Sequence, residues 1–147
     1  MSFTSVNPAT GETLEEFSAF DDARVQADIS RGAETFRAWR FTQMEERTAL
    51  MRRAAELLRE RRDSYARAMT LEMGKPITQS RAEAEKCAWV CEHYAEHAAD
   101  ILVKETLPSD GSESYVRFDP LGVVLAVMPW NFPFWQVFRF AAPALMA

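Results

Sequence analysis

The sequence is poor in cysteine, has no excess of positive charge and lacks a long uninterrupted apolar run. Its two cysteines, together with the absence of an export signal, argue against a disulfide-bonded fold. The net charge of −5 gives no overall attraction for nucleic acid or an anionic membrane. In the most apolar segment, Pro129, Pro133 and Pro143 interrupt the roughly 20 consecutive apolar residues that a membrane-spanning helix requires. These deficits predict a cytoplasmic protein that binds neither nucleic acid nor membrane.

What remains is the composition of one packed domain. The chain has 147 residues, 48% of them hydrophobic, which suffices for about one domain with a sizeable core. Helical spacing of apolar residues predicts four helices between about residues 21 and 100. On the first helix, a stripe that should face the core is formed by Val25, Ile29, Ala33 and Phe36.

Helix boundaries and one exposed strand can also be predicted. Asp21 and Asp22 are candidate caps for the first helix, and Gly74 followed by Pro76 predicts the end of the third. Farther on, alternation of apolar and polar residues predicts a half-exposed strand over about residues 113–119.

The carboxyl-terminal segment divides into a strand, a turn and a helix. Leu121 to Met128 is a run of eight apolar residues without alternation, which is typical of a parallel strand covered on both faces. Pro129 ends the strand because it lacks a backbone donor, and Pro133 suits the first turn of a helix over residues 133–147. The predicted fold class is therefore α/β.

Asn131 lies where the predicted strand gives way to the predicted helix. In open α/β sheets, ligands bind in the crevice beyond the carboxyl ends of the strands. A side-chain amide there can donate hydrogen bonds to the negative oxygen that develops when a carbonyl is attacked. Asn is also favoured as a helix cap. Position alone leaves both interpretations of Asn131 open.

Several motifs resemble those of the NAD(P)-dependent aldehyde dehydrogenase superfamily. Residues 129–133 read PWNFP, preceded by PLGVV at 120–124 and followed by PAL at 143–145. Near the amino terminus, residues 7–12 read NPATGE, and residues 71–76 read LEMGKP. These matches occur in order along most of the chain, so the resemblance is specific.

The resemblance implies a site, a cofactor and an assembly. Asn131 would help to form the oxyanion hole, and the cofactor, NAD or NADP, would lie along Met128, Pro129, Trp130 and Asn131. The substrate would be a small-molecule aldehyde. The strand within residues 113–119 would belong to the hairpin through which subunits pair, which implies a homo-oligomer. The helices and the strand from Leu121 would form the first part of the cofactor domain.

Arg139 and Trp135 are the residues that we expect to bind the substrate. Arg139 stands eight residues after Asn131, where succinate-semialdehyde dehydrogenases carry an arginine thought to hold the distal carboxylate of the substrate. A guanidinium suits this task because it donates two hydrogen bonds to a carboxylate and stays charged. Two alternatives remain open: Arg139 could pair with an acidic residue, or it could stack on Trp135 four residues earlier.

The family's nucleophilic cysteine, its general-base glutamate and its adenosine-binding residues lie far beyond the asparagine. None of those segments is present, and the sequence stops at Ala147 within a predicted helix. We therefore interpret the chain as an incomplete amino-terminal part of a longer enzyme, and we expect it to be inactive alone.

Cys87 and Cys91 are not expected to replace the missing nucleophile or to bind metal. They lie one helical turn apart, as do His93 and His97, but the two pairs face nearly opposite sides of one helix. A single ion cannot reach all four side chains. The spacing favours small residues that line the core.

A second class of function is a non-catalytic helical interaction or oligomerisation module. Aromatic residues suit protein interfaces as well as pockets. Such a module would use the aromatic carboxyl-terminal side chains Trp130, Phe132, Phe134, Trp135, Phe138 and Phe140.

Overall fold

A computed structural model describes residues 2–147 as five helices and four short strands. The strands are β1 (Ser2–Val6), β2 (Thr13–Ser18), β3 (Glu105–Thr106) and β4 (Tyr115–Val116). The helices are α1 (Asp22–Trp39), α2 (Met44–Glu60), α3 (Arg62–Met73), α4 (Ile77–Ile101) and α5 (Pro133–Met146). Strands β1 and β2 form one antiparallel pair, and β3 and β4 form another.

The core is built around α4, which packs against α2, α3 and α5. Small side chains on α4 make this possible, because they allow neighbouring helices to approach closely. The fully buried small side chains on α4 are Ser80, Ala84, Cys87, Ala88 and Cys91. The facing helices contribute Met51, Ala55 and Leu58 from α2, and Ala142 and Met146 from α5.

Arg47 ties the ends of α1 and α5 to this core. Its guanidinium is buried and donates hydrogen bonds to the carbonyl of Met146 at 3.0 Å and to the carbonyl of Trp39 at 2.9 Å. The last carbonyls of a helix have no partner within the helix, so a buried cation there satisfies them and the helix dipole together. Desolvation lowers the pKa of Arg47 from its ordinary value.

The helix boundaries predicted at Asp21 and at Gly74 are confirmed. The Asp21 carboxylate accepts a hydrogen bond from the Arg24 N–H at 2.8 Å and caps α1. Gly74 ends α3 with a positive φ of 71°, a conformation that favours glycine. A Cβ at this position would also lie 3.1 Å from Pro8 Cγ, so Gly74 serves both the helix end and the close approach of the amino-terminal loop.

Helix α1 does not bury the stripe predicted for it. None of its residues is buried, and Val25 and Ile29 are 41% and 53% exposed. Helical spacing correctly predicted the helix, but burial also requires an element that covers the apolar face. The described residues place little against α1.

The buried strand predicted over residues 121–128 is not present. This segment belongs to no strand, and Leu121, Leu125 and Val127 are 97%, 87% and 85% exposed. A parallel strand needs hydrogen-bonded neighbours and cover on both faces. The two sheets within residues 2–147 are short antiparallel pairs, and this segment pairs with neither. The apolar composition of residues 121–128 predicted a buried segment, but the described elements leave it exposed.

The other carboxyl-terminal elements lie close to their predicted bounds. The strand predicted at about 113–119 is present in shortened form as β4, which pairs with β3 through Thr106 and Tyr115. The helix predicted over 133–147 is α5, and Pro133 occupies its first turn. Within the described residues, no helix combines the length and apolarity needed to cross a membrane.

Candidate active site

The loop that carries Asn131 leads directly into α5 and is open to solvent. Trp130 is 76% exposed, and Asn131 is exposed as well. The residue that caps α5 is Phe132, which has no capping side-chain hydrogen bond. Among residues 2–147, the Asn131 side chain finds no hydrogen-bond partner and does not cap the helix. The capping interpretation of Asn131 is therefore wrong, and its amide is free to bind another group.

A glutamate from α4 caps α5 instead. Glu83 Oε1 accepts hydrogen bonds from the backbone N–H groups of Phe134 and Trp135, each at 3.0 Å. These N–H groups lie in the first helical turn and have no acceptor within the helix, and the helix dipole favours a negative charge beside them. The Glu83 side chain is only 2% exposed. A buried carboxylate thus fixes the amino terminus of α5.

Lys75 supplies the charge that a buried carboxylate needs. Its ammonium group forms an ion pair with Glu83 Oε2, and the Lys75 side chain is 6% exposed. An unpaired charge in this setting would be strongly unfavourable. The Lys75 Nζ also lies 3.8 Å from the ring centroid of Phe132, a cation–π contact. Lys75 and Glu83 therefore contact the chain immediately after Asn131 on two sides.

The three motifs that carry the family resemblance meet around this pair. The loop NPATGE is closed by a hydrogen bond from the Asn7 N–H to the Glu12 carbonyl at 2.9 Å. Its Pro8 packs against Gly74, which is followed at once by Lys75. Lys75 pairs with Glu83, and Glu83 caps the helix that follows Asn131. The first two motifs thus act as a support for the third.

Arg139 lies on the exposed part of α5 without a carboxylate partner. No ion pair involves its guanidinium anywhere in residues 2–147. Nor does it stack on Trp135, whose ring instead has the Lys86 Nζ 3.8 Å from its centroid. Neither alternative for Arg139 is therefore realised among the described residues. The guanidinium remains available to an anionic group from outside them.

Cys87 and Cys91 are structural residues, as their spacing predicted. Both are fully buried and unpaired with each other. Burial, aided by the nearby negative charge of Glu83, raises the pKa of the Cys87 thiol from 9.0 to about 12. Burial raises the pKa of Cys91 to about 11, with a smaller contribution from Glu92. Because the thiolate is the reactive form, neither cysteine can serve as a nucleophile near neutral pH.

Metal ligands do not cluster in the described part of the chain, since no group of three or more His, Cys, Asp or Glu side chains converges there. His93 and His97 lie beside each other, with ring centroids 4.7 Å apart, on a different side of α4 from the buried cysteines. The geometric argument against a shared four-residue site therefore agrees with the observed positions.

Sequence reasoning missed Glu83 and Lys75. One signal was present, because Glu83 precedes Cys87 and Cys91 at steps of four and so lies on the buried stripe of α4. A carboxylate on an apolar stripe must have a buried partner or a ligand. Which backbone groups it would meet, some 50 residues later in sequence, could not be read from that pattern.

The arrangement can present a hydrogen-bond donor at a fixed place. Asn131 projects from a loop whose following helix is held by a buried ion pair, and its amide has no internal partner. A preorganised donor of this kind stabilises an anionic oxygen without reorganising during the reaction. The described residues supply the donor but no activated nucleophile.

Comparison with known proteins connects this geometry with a family. The model of the aldehyde dehydrogenase family matches residues 1–147. A probable succinate-semialdehyde dehydrogenase (NADP(+)) from Synechocystis sp. is 51% identical over 147 residues, which is all of this chain and 32% of that protein. A succinate-semialdehyde dehydrogenase (NADP(+)) from Mycobacterium bovis is 47% identical over 152 residues, covering 33% of its length. The chain thus spans about a third of the length of these curated relatives.

Solved structures agree with the sequence match. The succinic semialdehyde dehydrogenase from Streptococcus pyogenes, in complex with NADP+, superposes with a TM-score of 0.94 at 34% identity, over 98% of this chain and 32% of that one. An NADP-dependent glyceraldehyde-3-phosphate dehydrogenase from Bacillus halodurans gives a TM-score of 0.90 at 29% identity, over 99% of this chain and 32% of that one. The match is to the amino-terminal part of such enzymes and confirms the predicted fold class. The exposed asparagine loop, its buried support and the family match over the whole chain lead to one conclusion: this chain belongs to the aldehyde dehydrogenase family.

Proposed function

We propose that the enzyme containing this chain oxidises an aldehyde to a carboxylic acid with NAD or NADP, and that Asn131 stabilises the oxyanion. The observation that carries this proposal is the free, exposed amide of Asn131 next to a helix terminus that Glu83 already caps. A capping asparagine would turn its side chain toward the helix terminus, whereas the Asn131 amide is open to solvent and can donate to a substrate oxygen. The family match and the NADP-dependent relatives support the same reaction.

In this reaction a cysteine thiolate attacks the aldehyde carbon, and the carbonyl oxygen becomes the negatively charged oxygen of a thiohemiacetal. The Asn131 amide donates to that oxygen. The nicotinamide cofactor, when bound, accepts the hydride that leaves this carbon. Water, activated by a carboxylate base, then releases the acid from the thioester. The thiolate must come from outside residues 1–147, because both cysteines of the chain are buried and protonated near neutral pH. We propose that the carboxylate base also lies outside these residues, as the family resemblance implies. We therefore propose that the chain alone is inactive.

The segment from Met128 to Asn131 is the proposed contact for the nicotinamide. Trp130 is largely exposed, and the backbone just before it, residues 121–128, forms no backbone hydrogen bond among the described residues. Open amide and carbonyl groups beside a flat aromatic side chain suit a ring that carries a carboxamide. Met128, Pro129, Trp130 and Asn131 thus fit this part of the cofactor.

The proposed substrate is succinate semialdehyde. Arg139 supplies an exposed positive charge on α5 that has no carboxylate partner within residues 2–147. Trp135 lies one turn earlier on the same helix, half-buried under Lys86. A distal carboxylate on the substrate would give Arg139 the bidentate partner that guanidinium groups favour. The names of the Synechocystis and Mycobacterium relatives support this substrate.

The proposal can be tested in a hybrid enzyme. In it, residues 1–147 replace the matched third of the Synechocystis relative, which is 51% identical in this region. We expect the hybrid to reduce NADP+ with succinate semialdehyde at about 1 per second or faster. Asn131→Ala should lower kcat about 100- to 1,000-fold, the usual cost of removing one oxyanion donor.

The matched control is Gln136→Ala, which removes another side-chain amide from α5 and should leave kcat within about threefold of the parent, as expected for a residue outside the reaction. A folded hybrid without activity would contradict the proposed function. An Asn131→Ala loss no larger than that of Gln136→Ala would contradict the role of Asn131. The 147-residue chain assayed alone should give no turnover.

A specific observation also favours a second function. Apolar side chains are exposed in one continuous stretch of sequence, including Leu121, Val123, Leu125, Val127, Trp130 and Phe132. Exposed apolar surface of this kind promotes association. A helical interaction or oligomerisation module would use this exposed surface to bind a partner. If the chain instead belongs to an enzyme, we propose that the complete enzyme is a cytoplasmic homo-oligomer. An inactive hybrid, together with a chain that self-associates through residues 121–132, would favour the module over the enzyme.

A further inference from the structure

Glu83 and Lys75 form a buried ion pair that the proposed reaction does not use directly. We propose that they are positioning residues: the Glu83 carboxylate, paired with Lys75, holds the amino terminus of α5 and thereby fixes the direction of the Asn131 amide. This inference rests on the proposed function of Asn131. It adds to that function the residues that make Asn131 available.

The amino terminus of α5 lacks a local side-chain cap. Pro133 has no N–H, so the N–H groups of Phe134 and Trp135 are the first that need an acceptor. The only local side chain that could reach back to cap this turn is Asn131, since its neighbours in PWNFP are apolar. Without Glu83, the Asn131 side-chain oxygen Oδ1 would be the local acceptor for these N–H groups, and accepting from them would turn the side chain toward the helix. Glu83 therefore leaves Asn131 free.

The cap of α5 comes from the buried helix α4. Glu83 lies on α4, beside the fully buried Ala84 and one turn before the fully buried Cys87. One of its oxygens accepts from both N–H groups at 3.0 Å, and the other is paired with Lys75. A group held in this way has little freedom to move. It transfers the position of α4 to the start of α5.

Lys75 also contacts Phe132, the residue next to Asn131. Lys75 Nζ lies 3.8 Å from the ring centroid of Phe132, so the same ion pair fixes the side chain that immediately follows Asn131. A misplacement of about 1 Å in a reacting group can cost roughly 100-fold in rate. A change at Glu83 should therefore affect the reaction even though Glu83 does not touch the substrate.

The experiment is a double-mutant cycle in the hybrid enzyme. Glu83→Gln keeps the size of the side chain but removes the charge that Lys75 and the helix terminus require. We expect kcat to fall about 10- to 100-fold with KM changed less than about threefold, in line with a lost orientation of a reacting group. In the Asn131→Ala background, the same Glu83→Gln change should lower kcat less than about threefold, because residues that act through one another are not additive.

A merely structural Glu83 would lower kcat by the same factor in both backgrounds, and that result would overturn the inference. The matched control is Glu85→Gln, which removes an ion-paired glutamate from α4 that lies at the surface beside Arg59. We expect this control to leave kcat unchanged within about twofold, as is usual for exposed ion pairs. A kcat loss for Glu85→Gln equal to that for Glu83→Gln would also count against the proposal.

Amide hydrogen exchange separates failure of this inference from failure of the proposed function. In Glu83→Gln, the N–H groups of Phe134 and Trp135 should exchange at least about tenfold faster than in Glu85→Gln, because their acceptor is weakened. This readout needs folded protein but no activity. If the hybrid folds but is inactive, the proposed function fails, and exchange still decides whether Glu83 holds the loop. Unchanged exchange at both amides would overturn the inference by itself.

Discussion

The α2–α4–α5 core and the apolar segment at residues 121–128 are both rich in hydrophobic side chains, yet only the core is buried. In the core, Leu58 is 4% exposed, whereas Leu125 in the apolar segment is 87% exposed. The difference lies in the partners. The small residues of α4 let α2, α3 and α5 pack against it, while the apolar segment pairs with no sheet among the described residues. An apolar side chain contributes to stability only where another element covers it.

The largest expected effect comes from making the same Leu→Ala substitution in the core and in the apolar segment. Leu58→Ala should lower the free energy of unfolding by about 2 to 5 kcal/mol, since it leaves a cavity in a packed core. Leu125→Ala should change it by less than about 0.5 kcal/mol, because the side chain is already in solvent. Urea denaturation of the 147-residue chain, followed by circular dichroism, measures both.

The free energies of unfolding of Leu58→Ala and Leu125→Ala should also be measured in the hybrid enzyme. If the apolar segment becomes a covered strand in the complete protein, Leu125→Ala should there approach the cost of Leu58→Ala. Similar costs for both variants in the 147-residue chain would show that the apolar segment is buried by self-association or by rearrangement. The structural contrast would then be wrong.

A second, smaller difference between the core and the apolar segment is expected in the rate at which cysteine thiols react with iodoacetamide. Cys87 and Cys91 should react with iodoacetamide at pH 8 at least about 100-fold more slowly than a cysteine introduced by Leu125→Cys, because reaction at a buried thiol requires opening of the core. All three cysteines should react at similar rates in urea. Equal rates for native Cys87 and the introduced cysteine would contradict the packed core.

The pH dependence of stability follows from the same thiols. Their folded-state pKa values, about 12 for Cys87 and about 11 for Cys91, lie above the ordinary value of 9.0. A raised pKa means that the folded state retains its proton more strongly, so the stabilisation is complete below pH 9.0 and is lost as the pH rises toward these values. Each thiol adds a slope of at most about 1.4 kcal/mol per pH unit in that window. Cys87→Ala should reduce the alkaline loss measured by urea denaturation.

The smallest expected effect on stability belongs to Arg139. Arg139→Leu should alter the free energy of unfolding by less than about 0.5 kcal/mol, since the side chain is exposed and unpaired among the described residues. In the hybrid enzyme, the same change should raise KM for succinate semialdehyde about 10- to 100-fold, the cost of losing hydrogen bonds to a charged group. KM for an uncharged aldehyde should stay nearly constant. Equal increases for both substrates would refute the carboxylate contact.

The parts of the fold that depend on neighbouring residues could be predicted from the sequence. Asp21 as a cap and Gly74 with Pro76 as a helix end follow from local backbone chemistry, and the structure confirms them. The buried strand at residues 121–128 could not be predicted in the same way, because burial depends on elements elsewhere. The strand's own composition is the same whether or not those elements are present.

The candidate site shows the same division. The place of Asn131 between the predicted strand and helix, and the resemblance, predict it as a site residue, but the residue that caps the following helix, Glu83, comes from another helix. Likewise, Lys75 was part of a recognised motif, yet its contact with the Phe132 ring follows only from the tertiary structure. Motifs indicated which residues matter, and packing determined how they support each other.

The link between Arg47 and the end of α5 has a consequence for the order of events on the ribosome. Helices α2, α3 and α4 can associate once residue 101 has emerged, but Ala142 and Met146 still belong to the buried core, and the Met146 carbonyl is an acceptor for Arg47. Until those residues are synthesised, a cation and part of an apolar helix face await partners about 100 positions downstream. Until α5 has emerged, the face of the core that Ala142 and Met146 cover is open, which exposes the nascent chain to aggregation and to proteases.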